Sequence, residues 1–265
     1  MRLFGKVKQV IERTFSKQYY FEDPEADPKL KLYVKDITKF NLDGNIEETR
    51  TIYYDVSDSL TQTLNQNKTI FLYDKNGFLI TEYNTMDSLR EKRFNYDDLG
   101  NLKKIQWFLN STPLNEKYEY KYDRNDHLIE EMEWDTTEIP KIKKIHKYDN
   151  QGHKRETTVY KRNREGQLIF NSKSNYTYDS LGTIIETLLF YRNDPATKSS
   201  FTYDSYGNTI LSVRYNSQGV ITNRDSSFYE YDHYKNWIKK MDYSIRSSFY
   251  DPLLIGIEQR VIDYY

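Results

Sequence analysis

A tyrosine–aspartate pair recurs along this 265-residue chain at nearly regular intervals. It stands at Tyr73-Asp74, Tyr96-Asp97, Tyr122-Asp123, Tyr148-Asp149, Tyr178-Asp179, Tyr203-Asp204 and Tyr231-Asp232, at spacings of 23 to 30 residues. Phe40-Asn41-Leu42-Asp43-Gly44-Asn45-Ile46 is a divergent earlier copy of the segment that begins at Tyr73. Self-similarity at such a period restricts a chain to repeat architectures, in which each unit buries its surface against the next.

Each pair marks a turn. The common string is aromatic-x-Tyr-Asp-x-x-Gly-Asn-apolar, as in residues 94–102. Aspartate bonds the backbone two residues on, and glycine supplies the positive φ of a tight turn. The structural turn residues are therefore Asp74, Gly77, Asp97, Gly100, Asp123, Asp149, Gly152, Asp179, Gly182, Asp204, Gly207 and Asp232. Where Asp126 and Lys235 replace the glycine, either a non-glycine residue turns left-handed or the turn type changes. Ahead of each mark, aromatics alternate at spacing two (Phe94/Tyr96, Tyr118/Tyr120/Tyr122, Tyr176/Tyr178), the period of a strand. Beyond the turn, the second residue after the glycine is usually apolar (Leu79, Leu102, Leu128, Ile184), and the eighth is large (Phe108, Trp134, Tyr160, Phe190, Tyr215, Tyr243). Even offsets predict that these two positions share one face. The charged fourth position (Glu48, Lys104, Glu130, Glu156, Glu186, Lys239) then interrupts that stripe without explanation. A looser second turn such as Asn110-Ser111-Thr112-Pro113 or Asn216-Ser217-Gln218-Gly219 closes each unit.

The expected fold is all-β: a long antiparallel meander of about sixteen strands in about eight units. Open sheets of that width curl, so the sheet should be strongly coiled, as a superhelix or a partly closed barrel. Residues 1–39 read as an N-terminal cap strand or helix followed by the acidic loop Phe21–Pro28, residues 40–250 as the repeat sheet, and residues 251–265 as a capping strand.

Lys+Arg 39 against Asp+Glu 40 gives a net charge of −1, which points to neither nucleic acid nor an anionic membrane. There is no cysteine, which excludes disulfides, thiolate metal sites and thiol nucleophiles. No apolar run reaches transmembrane length. With Met1 as the native start the expected location is cytoplasmic; a leader upstream of it would imply the periplasm or cell surface.

Tyr-Asp-x-x-Gly-Asn-Leu at this period resembles the YD repeat of the rearrangement-hotspot proteins, insecticidal toxin shells and teneurins. Gly5–Val10, Asn236–Lys240 and Arg260–Tyr265 are similar to segments of small YD-repeat proteins of the Bacteroidetes. The resemblance covers about residues 5 to 265. It implies hairpins wound into a β-sheet body, which in the large family members forms a hollow shell enclosing a toxin.

Residues for catalysis are sparse. The aspartates lack a calcium loop's terminal bidentate glutamate. His127, His146, His153 and His233 form no metal-binding pair at helical spacing. Adjacent carboxylates such as Glu130/Glu131 point to opposite faces of a strand. No cofactor or metal is expected, and no enzymatic activity. Aromatics on the otherwise polar face are the binding candidates: Trp107, flanked by Ile105 and Leu109, and Tyr191, flanked by Leu189 and Ile185, with Trp134 as a weaker member. The alternative is that these rings are core of a sheet curled until both faces are covered. The expected class is a non-catalytic protein-binding module, in its specific form an immunity protein that neutralises a partner toxin. The rivals are a cell-surface carbohydrate-binding module, with those rings as its sugar platform, and a structural shell component.

Overall fold

The computed structural model describes residues 3, 6–17, 30–55, 62–192, 194, 196–245 and 253–265. They form eighteen strands: β1 (Val7–Lys17), β2 (Leu30–Phe40), β3 (Ile46–Asp55), β4 (Gln62–Tyr73), β5 (Leu79–Asn84), β6 (Asp87–Tyr96), β7 (Leu102–Leu109), β8 (Thr112–Tyr122), β9 (Leu128–Trp134), β10 (Pro140–Tyr148), β11 (Lys154–Arg162), β12 (Leu168–Tyr178), β13 (Ile184–Tyr191), β14 (Thr197–Tyr203), β15 (Thr209–Tyr215), β16 (Ile221–Tyr231), β17 (Trp237–Ile245) and β18 (Leu253–Tyr264). Every strand pairs antiparallel with its sequence neighbours, and β1 pairs with both β2 and β18. The meander therefore closes into a barrel, with no helix among the described residues. Closure removes the exposed edges that an open sheet would present. The N-terminal segment is a strand, not a helix, and two more strands form than the repeat count predicted. The acidic loop Phe21–Pro28 lies outside the described residues.

The turns follow the residue chemistry. In the turn at residues 97–101, Asp97 Oδ1 accepts from the backbone N–H of Leu99 (3.0 Å) and Asn101 (2.8 Å). The Gly100 N–H donates to the Asp97 carbonyl at 3.0 Å, with φ at 86°. Asp74, Asp123, Asp149, Asp179 and Asp204 make the same pair of side-chain bonds. Asp126 and Lys235 do take the left-handed conformation, at φ 61° and 68°. The segments beginning at Asn163 and Asn216, expected to be looser, repeat this geometry with asparagine in aspartate's place.

One detail resets the side-chain pattern. Tyr96 pairs with Leu102, but Asn95 pairs with Lys104, so Lys103 is an extra residue in the ladder. The same register shift sits beside the mark residue in all eight hairpins. A β-bulge moves every later side chain by one position. The second and eighth residues after the glycine therefore fall on opposite faces, contrary to the even-offset expectation. Leu102, Ile105 and Trp107 lie on the face of Tyr96, the tyrosine face. Lys104, Gln106 and Phe108 lie on the other, and the charged fourth position interrupts nothing.

Hairpins are tied together at the rim that carries these turns. In six hairpins the mark tyrosine's hydroxyl donates to the first carbonyl of the preceding hairpin's return strand: Tyr73 to Ile46 (2.6 Å), Tyr96 to Leu79 (2.9 Å), Tyr122 to Leu102 (3.0 Å), Tyr148 to Leu128 (2.8 Å), Tyr178 to Lys154 (2.7 Å) and Tyr203 to Ile184 (2.7 Å), whereas Tyr231 donates to the Asp204 carboxylate. In three hairpins the side chain after the turn's left-handed residue reaches the next mark tyrosine. Phe78 packs on Tyr96, and His127 and His153 stack on Tyr148 and Tyr178 with ring centroids 4.5 and 4.9 Å apart. A ring of eighteen strands is too wide for side chains to fill and leaves an aqueous lumen. Accordingly, Val7, Val10 and Val213 are the only buried apolar residues among those described.

Three substitutions test the rim. A Cβ on Gly100 would sit 3.0 Å from the Phe78 ring, whereas one on Gly44 meets nothing within 4 Å; both residues have positive φ. Gly44→Ala should cost about 1 kcal/mol for the left-handed backbone alone, and Gly100→Ala distinctly more. Tyr148→Phe should cost about 1 kcal/mol for the lost hydroxyl bond. Urea denaturation midpoints measure all three.

Candidate functional site

The rings singled out in the sequence do not assemble into one platform. Trp107 is on β7 and Tyr191 on β13, both on the tyrosine face but six strands apart, about 29 Å across the sheet. Trp134 pairs with Lys117 on the opposite face, which removes it from any shared platform with Trp107. Nor are the rings bare. The Arg90 guanidinium lies 4.5 Å and the Lys92 ammonium 4.8 Å from the centroid of Trp107. Those cations are held in turn by Glu116 and Glu82. Arg192 lies 5.5 Å from the centroid of Tyr191. Trp134 carries Lys117 at 4.6 Å and donates its indole N–H to Glu119 at 3.1 Å. Ile105 is half-buried opposite Tyr118, while Leu189 and Tyr191 are exposed at 39% and 42%. Ile185 falls at the extra-residue position of its hairpin.

A polar cluster on the tyrosine face escaped the sequence reading. His146 on β10 is buried, with Nδ1 2.9 Å from Thr157 Oγ1 on β11 and Nε2 2.9 Å from Glu131 Oε1 on β9. Lys144 donates to the other Glu131 oxygen at 2.8 Å. The bond from His146, with the Lys144 ammonium behind it, holds the Glu131 carboxyl down at about 2. Directly across from Glu131, burial and then that carboxylate push Tyr120 up to about 12. The signal was a gap. Two residues before the mark, six units carry Phe71, Phe94, Tyr120, Tyr176, Phe201 or Tyr229, the divergent first unit carries Thr38, and this unit carries His146. A hydroxyl–imidazole–carboxylate chain has the connectivity of a nucleophile and its base. Here, however, Thr157 and His146 are both buried, so the chain fixes three strands to one another.

On the opposite face the charged fourth position finds its purpose. Glu48, Glu130, Glu156 and Lys239 each pair across the hairpin with the residue before the mark: Lys39 (3.5 Å), Lys121 (2.7 Å), Lys147 (2.7 Å) and Glu230 (2.8 Å). A second lysine, from the next hairpin, reaches three of these glutamates: Lys68 to Glu48 (2.8 Å), Lys143 to Glu130 (2.7 Å) and Lys173 to Glu156 (3.9 Å). No group of three or more metal-ligating side chains occurs among the described residues. Nor is any helix there long and apolar enough to cross a membrane.

No protein-family model matches the sequence, and no curated protein matches it. Solved structures do align with it. A porin-like protein from Bacteroides uniformis aligns over 97% of this chain and 98% of its own, at 10% identity and a TM-score of 0.49. A porin-like protein from Bacteroides vulgatus aligns over 80% and 96%, at 13% identity and a TM-score of 0.41. The Photorhabdus luminescens Tc holotoxin pore aligns over 92% of this chain at 12% identity and a TM-score of 0.31, and the chain spans 17% of that one.

Glu131 has a defined acid signature. Its folded-state value lies below the ordinary 4.5, so the stability it contributes is complete above that value and is lost as the pH falls toward 2. Glu131→Gln should therefore be less stable than the parent at pH 7. The gap should close between pH 4.5 and 2, as read from denaturation curves across that range.

Proposed function

We propose that this protein is a non-catalytic binding scaffold whose barrel wall engages a protein partner. The observation that carries this reading is surface. The chain exposes 17552 Å², whereas a compact protein of its 32.0 kDa exposes roughly 12,000 Å². A single-layer wall spends its sequence on accessible faces, and repeat scaffolds use such faces to hold macromolecules. Support comes also from the hydroxyl–imidazole–carboxylate chain found among the described residues, whose hydroxyl and imidazole are buried. Charged side chains sit at mid-strand on both faces, Glu130 and Lys143 on one and Glu131 and Lys144 on the other. A membrane barrel needs an apolar outer band, so this wall suits water on both sides.

Neutralising a toxin, as an immunity protein does, is the specific form of this reading. Native-level expression should then yield a stoichiometric complex by size-exclusion chromatography with light scattering, and co-expression should relieve the partner's toxicity. A clean monomer with no partner under native expression counts against the reading.

A further inference from the structure

The near-zero net charge conceals a separation of charge by location. Aspartates crowd the rim of tight turns: Asp43, Asp74, Asp97, Asp98, Asp123, Asp126, Asp149, Asp179, Asp204 and Asp232. The compensating lysines gather on the face opposite the tyrosines. Five residues before the mark, that face carries Lys35, Lys68, Lys117, Lys143, Lys173 and Lys198 in six of eight hairpins. From β8 to β15 these positions carry Lys117, Lys121, Lys143, Lys147, Lys173 and Lys198 against Glu119, Glu130, Glu156 and Glu186; Lys117 pairs with Glu119 (2.8 Å) and Lys198 with Glu186 (3.2 Å), and six lysines against four glutamates leave a positive excess over the row as a whole.

Aromatic rings are interleaved with these lysines. In four consecutive hairpins, from β8–β9 to β14–β15, the lysine stands directly across from a ring: Lys117 from Trp134, Lys143 from Tyr160, Lys173 from Phe190 and Lys198 from Tyr215. Three of these ammonium groups lie over the ring, at 4.6, 5.1 and 4.8 Å from the centroids of Trp134, Phe190 and Tyr215. Two clefts open along this row. One, of about 520 Å³, is bounded by Lys104, Lys117, Trp134 and Glu138; the other, of about 610 Å³, by Lys147, Arg155, Glu156 and Lys173.

We propose that this face binds single-stranded nucleic acid, with the lysines on successive phosphates and the rings beneath bases. Alternating point charges and π-faces form the surface that takes such strands without sequence preference. The four paired cations are all lysine, which serves phosphate as a point charge, whereas carboxylates favour the planar fork of arginine. Lysine is also depleted at protein interfaces, which sets this row apart from an acidic-protein site. Exposed ion pairs and cation–π contacts are weak, so a phosphate can draw each ammonium off its ring and free the ring for a base. The proposal concerns one face of the wall and does not rest on the protein-partner reading.

The test is fluorescence anisotropy of the full chain with labelled oligothymidylate, over a salt series, beside labelled polyglutamate. Oligothymidylate should bind more tightly than polyglutamate, with log K falling linearly in log salt. Combining Lys117→Gln, Lys143→Gln, Lys173→Gln and Lys198→Gln should flatten the slope by about 0.7 per lysine. Trp134→Leu should weaken binding roughly tenfold at unchanged slope, and Trp134→Phe should retain it. Should the fourfold variant fail to fold, Lys117→Gln and Lys198→Gln alone should each lower the slope. Absence of oligothymidylate binding at low salt, equal or tighter binding of polyglutamate, or an unchanged slope in the folded lysine variants would each overturn the proposal.

Discussion

A wall one strand thick has almost no interior in which to bury apolar surface, and the rest of this structure follows from that constraint. With three valines as the buried apolar residues among those described, the chain cannot rely on the layered packing that stabilises most domains. It relies on contacts repeated once per hairpin. The mark tyrosine is the clearest of them. Its ring lies against the side chain that follows the previous turn's left-handed residue, as Tyr148 lies on His127. Its hydroxyl satisfies a carbonyl at the start of the preceding return strand. Tyrosine suits this place because its ring packs on the sheet while its hydroxyl reaches the polar rim.

The bulge beside the mark gives the wall two distinct faces. By adding one residue, it places the apolar second position with the tyrosines and the charged fourth and aromatic eighth positions on the other side. That second face becomes a lattice in which glutamates are bridged by lysines from their own and the following hairpin. Each such pair is individually weak. Four of them join a hairpin to the next, at Glu48, Glu130, Glu156 and Glu186, and the lysine excess makes the face basic although the chain as a whole is nearly neutral.

The buried polar cluster shows how a repeat acquires an exception. Where six other units set an aromatic ring two residues before the mark, His146 takes its place and bonds Thr157 and Glu131. An unpaired imidazole there would be costly, so all three residues must be present together. Two of the three residues are buried, and their bonds join β9, β10 and β11.

The sequence by itself determined the repeat, the hairpin, the turn chemistry of residues such as Asp97 and Gly100, and the rank of rings ahead of each mark. These are local properties, set by hydrogen bonds within five residues and by the period of a strand. Only the tertiary structure decided the face on which Phe108 and Trp134 lie, the covering of Trp107 by Arg90 and Lys92, the partners of His146, and the closure of β1 on β18. The face assignment turns on one extra residue per hairpin, and that position is filled by Glu47, Ile80, Lys103, Ile129, Arg155 and Ile185 in turn. A bulge is a choice of backbone hydrogen bonds between two strands, so no single side chain records it. Closure likewise depends on twist accumulated over eighteen strands, which no local segment contains.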